Sequence, residues 1–299
     1  MVNWQIFVEK ILPQKPSYRA ELIQIDDENQ IGVFYDINES SLYFGFIRNS
    51  DQQTLSALIL MLDDCARKNS KTQIIGPIDG ATWGNYRFQW QTELPLLYSG
   101  QPTYTRKNCD QFMNSGYEIC ERYETVQIAH IQKVEQDLQM FKKNTITDLK
   151  FEKPTSAMFA ENRIELLTLL NEIFAENFQY SQMTDVELQI VFLGIQKFIN
   201  YDLSLVARNS QNQIVGFMLN ATSEQALFLK TIGFKKEYRH QGLSVFKIME
   251  QLFTNIANQT EFKMQQIIIC LMKKNNFPSL ISAYLTEHKN EYVLLRKLI

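Results

Sequence analysis

Across residues 149–299 the apolar positions switch repeatedly between a period of two and a period near 3.6, and each switch marks an element boundary. Residues 149–152 form a short strand ahead of Pro154. Residues 159–178 set Ile164, Leu167, Leu170, Ile173 and Phe174 along one helix face. A second helix is expected over 185–198, with Thr184 as its cap and Glu187 completing a capping box. Strand-like runs at 203–208 and 213–220 flank the polar turn Asn209-Ser210-Gln211-Asn212, the pattern of a hairpin. There follow a strand over 226–234, a helix over 242–257, an apolar strand at 266–272 of the kind buried on both faces, a short helix at 278–285 and a last strand at 292–299.

The first half partly repeats this order. Strands at 19–26, 31–38 and 41–48 precede a helix at 54–68 and a buried strand at 72–78. Residues 126–141 read as a helix tying the halves together, with 142–148 as the boundary. The expected architecture is therefore a mixed α/β fold in two domains, 1–141 and 142–299.

Composition narrows the function classes. With 299 residues, 45% hydrophobic, 21% charged, 11 Gly and 7 Pro, the chain is a folded protein with room for two cores. A net charge of −3 argues against a general nucleic-acid binder, since phosphate backbones are held by clustered Lys and Arg. The longest apolar run, residues 55–62, is far short of a membrane span. No N-terminal leader pattern is present, so the expected location is cytoplasmic, with no membrane or nucleic-acid partner. Cys65, Cys109, Cys120 and Cys270 lack metal-ligand spacing, as do His130, His240 and His288, and no metal is expected.

The chemistry concentrates in residues 231–250, a strand running through Arg239-His240-Gln241-Gly242-Leu243-Ser244 into an amphipathic helix. A glycine-bearing turn at a helix start presents backbone N–H groups and the positive end of the helix dipole, which favour an anion. An ordinary strand-to-helix turn is the plain alternative. The loop resembles the acyl-CoA pyrophosphate loop of the GNAT superfamily of N-acyltransferases, Arg/Gln-x-x-Gly-x-Gly/Ala, with Ser244 at the last position. The element order strand, two helices, three strands, helix, strand, helix, strand is similar to that of the same fold. The first half then looks like a degenerate GNAT-like unit: Asn49-Ser50-Asp51-Gln52-Gln53 stands where the loop would be, lacks glycine and puts an acid at the dipole site.

The resemblance implies acetyl-CoA, or another acyl-CoA, as co-substrate and a small amine as acceptor, attacking the thioester directly. A diamine, a hydroxylamine derivative of one or an amino acid suits that role, and the competing class is a non-catalytic CoA-binding sensor. The backbones of Gln241, Gly242, Leu243 and Ser244 would hold the pyrophosphate with Arg239 and His240 at its edge, and the backbones of Ile232 and Phe234 would pair with pantetheine. In the strand-to-loop pattern Gly-Val-x-Pro-Glu-Tyr-Arg, Lys236 replaces the proline. Asn276 and Ser279 stand where the family contacts pantetheine, Tyr284 (or, failing it, Tyr292) where a phenol protonates the thiolate, and Glu224 where a carboxylate serves as base. Residues 76–88 resemble a Gly-Pro-x-(small)-x-x-Trp-x-x-Tyr-Arg signature of two-part GNAT-like proteins. Asp79, Trp83, Tyr86 and Arg87 are there either an acceptor-binding set or a packing clasp.

Overall fold

The computed structural model describes residues 2–94, 101–128, 149–223, 226–239, 243–258, 265–274 and 286–299. Its contacts divide the chain into two compact units, Met1–Tyr123 with Phe178–Gly194 and Asn290–Ile299, and Glu124–Asn177 with Ile195–Lys289. The units are interleaved in the chain rather than successive.

In the first unit β1 (Tyr18–Asp26), β2 (Asn29–Asp36) and β3 (Ser41–Arg48) form an antiparallel meander. Helix α1 (Gln52–Lys68) crosses over to β4 (Gln73–Gly76), which lies parallel to β3. Leu55, Leu58, Ile59, Leu62 and Ala66 recur at helical spacing and are fully buried against Ile31, Val33, Leu42, Phe44 and Ile74. The C-terminal strand closes the other edge of β4 and carries β5 (Phe88–Thr92). β5 and α2 (Arg106–Asn114) fall where the sequence pattern marks no element.

β6 (Glu118–Ile128) corrects one expectation, because Val126 to Ile128 are strand and not the start of a helix. The aromatic and β-branched run Tyr123, Thr125 and Val126 is buried, and burial in a sheet overrides a short helical period. The remainder of that expected helix, and the helix expected at 278–285, lie outside the described residues.

In the second unit the single helix expected over 159–178 is two, α3 (Ser156–Glu161) and α4 (Arg163–Phe174). The break is at Asn162, whose side chain bonds the Met158 carbonyl at 2.9 Å while its backbone sits at φ −103° and ψ 23°. After β7 (Lys150–Glu152), the strands β8 (Leu205–Arg208), β9 (Ile214–Thr222) and β10 (Ala226–Phe234) pair antiparallel in chain order. β11 (Gln266–Lys273) joins β10 in parallel, and β12 (Thr286–Leu298) is the C-terminal strand already described. One face of this sheet packs Leu205, Met218, Leu227 and Leu229 against Ile248, Leu252 and Phe253 of α6 (Leu243–Ala257). The opposite face packs Val206, Ile214 and Phe217 against Met158, Leu166, Leu169 and Ile173 of α3 and α4. The mixed α/β class expected from periodicity is the class observed. No helix among the described residues is long and apolar enough to cross a membrane.

Helix α5 (Asp185–Ile195) lies mostly in the first unit and begins with the expected capping box: the Thr184 N–H donates to Glu187 Oε2 at 2.7 Å and the Glu187 N–H to Thr184 Oγ1 at 3.2 Å. Glu187 Oε1 also pairs with Lys15 Nζ at 3.0 Å, with side chains only 9% and 3% exposed for Lys15 and Glu187. Removing one partner strands a buried charge, which costs about 3–5 kcal/mol. Glu187→Ala is therefore expected to lower unfolding free energy by about that amount, and Glu187→Gln, which keeps the acceptor for Thr184, by less; chemical denaturation measures both.

Candidate functional site

The clearest irregularity in the second unit is where β10 parts from β11. The β10–β11 ladder runs from Ala226↔Gln266 to Leu229↔Ile269 and stops, whereas β10 stays paired with β9 as far as Phe234↔Gly216. Both strands are distorted at the parting point. On β10, Leu229 faces Asn220 and Thr231 faces Leu219, so Lys230 is an extra, bulged residue. On β11, Leu271 takes φ 51°, and its N–H bonds Thr125 Oγ1 at 3.0 Å. Among the described residues, no strand covers that edge of β10 beyond Leu229.

Which groups face the open edge follows from alternation. The Lys235 N–H donates to Val215 O of β9 at 2.9 Å, so the preceding Phe234 points the other way, and Ile232 with it. The Arg239 Nε–H donates to Phe234 O at 3.2 Å from that open side. The two backbones named from the resemblance thus face the same side. The entry that lacks the proline forms regardless: Lys236–Tyr238 is a 3₁₀ turn, with the Tyr238 N–H on Lys235 O at 2.9 Å and the Tyr238 hydroxyl bonded to Asn209 Nδ2 at 3.0 Å.

Three cations ring this end of β10. Lys235 pairs with Glu172 at 3.3 Å, Lys236 with Glu176 at 3.4 Å, and Arg239 with Glu176 at 3.6 Å. Lys236 and then Arg239 hold the Glu176 carboxyl below its ordinary range. These pairs are largely solvent-exposed and weak, so an anionic ligand could displace Glu176 at little cost. Ser244 is fully buried at the start of α6, and its hydroxyl donates to the Tyr238 carbonyl, which ties the helix start to the turn. Leu243 is the first described residue of that helix. His240, Gln241, Gly242, Glu224, Asn276, Ser279 and Tyr284 lie outside the described residues. Tyr292, the runner-up proton donor, is 1% exposed in the first unit, where its hydroxyl accepts from Gln101 Nε2 at 2.9 Å.

At the corresponding place in the first unit, Asp51 caps α1. Its Oδ1 accepts the Thr54 N–H at 2.8 Å and its Oδ2 the Thr54 hydroxyl at 2.7 Å, which hold its pKa below the ordinary value. The helix start is thus already supplied with a negative charge.

Residues 76–88 make a compact loop beyond β4. Ile78 N–H bonds Phe44 O at 2.7 Å, Asp79 N–H bonds Asn85 O at 2.9 Å, and Arg87 N–H bonds Pro77 O at 3.0 Å. Gly45 of β3 permits the close approach, since a Cβ there would fall 2.1 Å from Ile78 O. Asp79 is 7% exposed, and its Oδ1 accepts both the Phe46 N–H and the Tyr104 O–H at 2.5 Å. This is a clasp within the unit. Arg87 is 2% exposed at φ 82°, with its guanidinium carbon 3.5 Å from the ring centres of both Tyr86 and Tyr123. Trp83 stands edge-on to Tyr180 at 6.0 Å. Tyr104, Tyr123 and Tyr180 were not visible as partners of this loop from sequence spacing, because they come from distant stretches. Lys230 did leave a signal, as the one charge in the run Ala226–Phe234. No group of three or more His, Cys, Asp or Glu able to hold a metal occurs among the described residues.

No protein-family model and no curated protein sequence matches the chain. Solved structures do. A protein of unknown function from Enterococcus faecalis V583, described as a probable N-acyltransferase, matches at 8% identity over 97% of this chain and 64% of its own, with a TM-score of 0.53. A GCN5-related N-acetyltransferase from Sphaerobacter thermophilus matches at 10% identity over 94% and 76%, with a TM-score of 0.49. A tandem GNAT protein from the clavulanic acid biosynthesis pathway matches at 9% identity over 95% and 84%, with a TM-score of 0.48. The likeness is one of fold: the chain shares the fold of the Enterococcus faecalis protein across nearly its whole length.

Burial pushes the Asp79 carboxyl up to about 6, against the lowering effect of the bonds from Phe46 and Tyr104. A carboxyl whose folded pKa exceeds its unfolded value contributes stability below the unfolded pKa, and that contribution is lost as pH rises through the folded one. Asp79→Asn cannot titrate, so its stability relative to the parent is expected to rise between about pH 4 and pH 6 and then level off, as measured by urea denaturation at several pH values.

Proposed function

We propose that the second unit binds an acyl-CoA, most simply acetyl-CoA, and transfers the acyl group to a small amine by direct attack. The observation that carries this reading is the open edge of β10. A strand that, among the described residues, keeps one neighbour and loses the other offers backbone donors and acceptors to an extended ligand, as an added strand would. Pantetheine, with two amides along an extended arm, suits such an edge. Lys236 and Arg239 at the far end of that edge suit the phosphates. A backbone N–H aimed at the thioester carbonyl would stabilise the oxyanion that forms when the amine attacks.

Direct attack is preferred to a covalent intermediate because Cys270, the thiol of β11, is buried. Ser244, at the start of α6, donates its hydroxyl to the Tyr238 carbonyl. The acceptor is taken to be a small amine, and the carboxylate of Asp79, enclosed by Phe46 and Tyr104, is not assigned to hold it.

Acetyl-CoA is expected to raise the melting temperature, and thiol release over a panel of small amines is expected to show turnover. Arg239→Ala combined with Lys236→Ala is expected to weaken acetyl-CoA binding about tenfold, roughly 1.4 kcal/mol, with a shallower salt dependence. Stabilisation by acetyl-CoA without turnover on any amine would point to the sensor reading instead.

A further inference from the structure

Beside the end of β3 the first unit has a cavity of about 470 Å³, within the roughly 300–1,000 Å³ that small-molecule sites occupy. It lies between the β1–β2 turn, the end of β3 and the start of α2. A bulge shapes its inner wall: Gln30 of β2 faces Arg48 and Gly32 faces Gly45, so β3 carries one extra residue there, and Phe46 takes φ 50°. The Phe46 N–H donates to Asp79 Oδ1 at 2.5 Å and the Ile47 N–H to the Tyr104 hydroxyl at 3.1 Å, and Ile47 and Tyr104 both line the cavity. Asn108 Nδ2 donates to Asn49 Oδ1 at 2.8 Å, which ties α2 to the chain entering α1. Both helix starts are already capped, by Thr105 and by Asp51, so neither supplies an anion site here. The charge at the cavity stands on side chains instead: Asp27 and Glu28 from the turn, and Arg48 from β3. All three are exposed, and none of these side chains makes an ion pair or a hydrogen bond among the described residues.

We propose that this cavity binds a small diamino acid, a molecule with two ammonium groups and one carboxylate. The lining carries two negative side chains and one positive, and such a ligand carries the opposite set. The Arg48 guanidinium suits the carboxylate, which it can meet with two parallel hydrogen bonds. Asp27 and Glu28, each an acceptor through two oxygens, suit the ammonium groups. Asn49, Thr105 and Asn108 are already bonded to one another, so the three charges decide which ligand is preferred. A plain diamine would leave Arg48 facing a cation, and a dicarboxylate would face Asp27 and Glu28; both are disfavoured by like-charge repulsion. Because the charges are exposed, added salt weakens the binding. Binding here requires neither acyl-CoA nor acyl transfer.

Titration of the full chain with L-lysine at low salt, followed by melting temperature and by backbone amide chemical shifts, tests the assignment. L-Lysine is expected to raise the melting temperature and to shift the amides of Ile47, Arg48, Asn49 and Thr105. Lysinamide, which lacks the carboxylate, and norleucine, which lacks the side-chain ammonium, are each expected to bind about tenfold more weakly. Arg48→Gln is expected to bind lysine and lysinamide equally, and Asp27→Asn combined with Glu28→Gln to weaken lysine about tenfold. These side chains are exposed, so the variants should keep the parent's melting temperature in the absence of ligand. A parent that shows no response to lysine up to about 10 mM overturns the proposal, whatever its response to acetyl-CoA. So does lysine binding that is unchanged in both variants, or that shifts amides only away from the cavity.

Discussion

Among the described residues, β10 keeps only one of its two neighbours beyond Leu229, and the candidate site is a consequence of that choice. An interior strand normally satisfies its backbone on both sides, because a buried unpaired N–H or C=O costs about as much as a lost hydrogen bond. Here β9 holds β10 through Phe234, while β11 kinks at Leu271 and bonds Thr125 instead. The result is a short run of strand edge inside a folded unit, held by β9 on one side and, among the described residues, covered by no strand on the other.

Packing keeps that edge in place. Leu227, Leu229 and Phe234 are anchored in the core with Ile248 and Leu252 of α6, so the strand cannot shift to recover the lost ladder. On the other face Gly233 lies so close to Ile173 of α4 that a Cβ would fall 2.5 Å from it, which fixes the strand's height over the helix. The cations at Lys235, Lys236 and Arg239 are held loosely by Glu172 and Glu176. The site thus combines a rigid backbone edge with adjustable charges, which suits a ligand that is part extended chain and part phosphate.

Much of this was legible in the amino-acid order, for identifiable reasons. Elements with strong periodicity, such as α1 and α6, and the Thr184–Glu187 capping box, depend on residues close in sequence, and their local chemistry is decisive. Asp51 as the acid at the start of α1 is of the same kind. What was not legible depends on residues far apart. The end of the β10–β11 ladder is set by a kink in β11 and a side chain on β6, and no local pattern in Ala226–Phe234 announces it. Asp79 reads from sequence as available to an ammonium group, yet Phe46 and Tyr104 enclose it. The end of β6 has a weak helical period, which pairing in the sheet outweighs.

The claim on which the account rests is that an acyl-CoA lies along the open edge of β10, and amide hydrogen exchange reads that edge residue by residue. In the free protein the Ile232 and Phe234 amides should exchange faster than those of Gly233 and Lys235, which face β9. On saturation with acetyl-CoA, Ile232 and Phe234 should slow by an order of magnitude or more, with little change at Gly233 and Lys235. Binding of acetyl-CoA that leaves the exchange of Ile232 and Phe234 unchanged would contradict it.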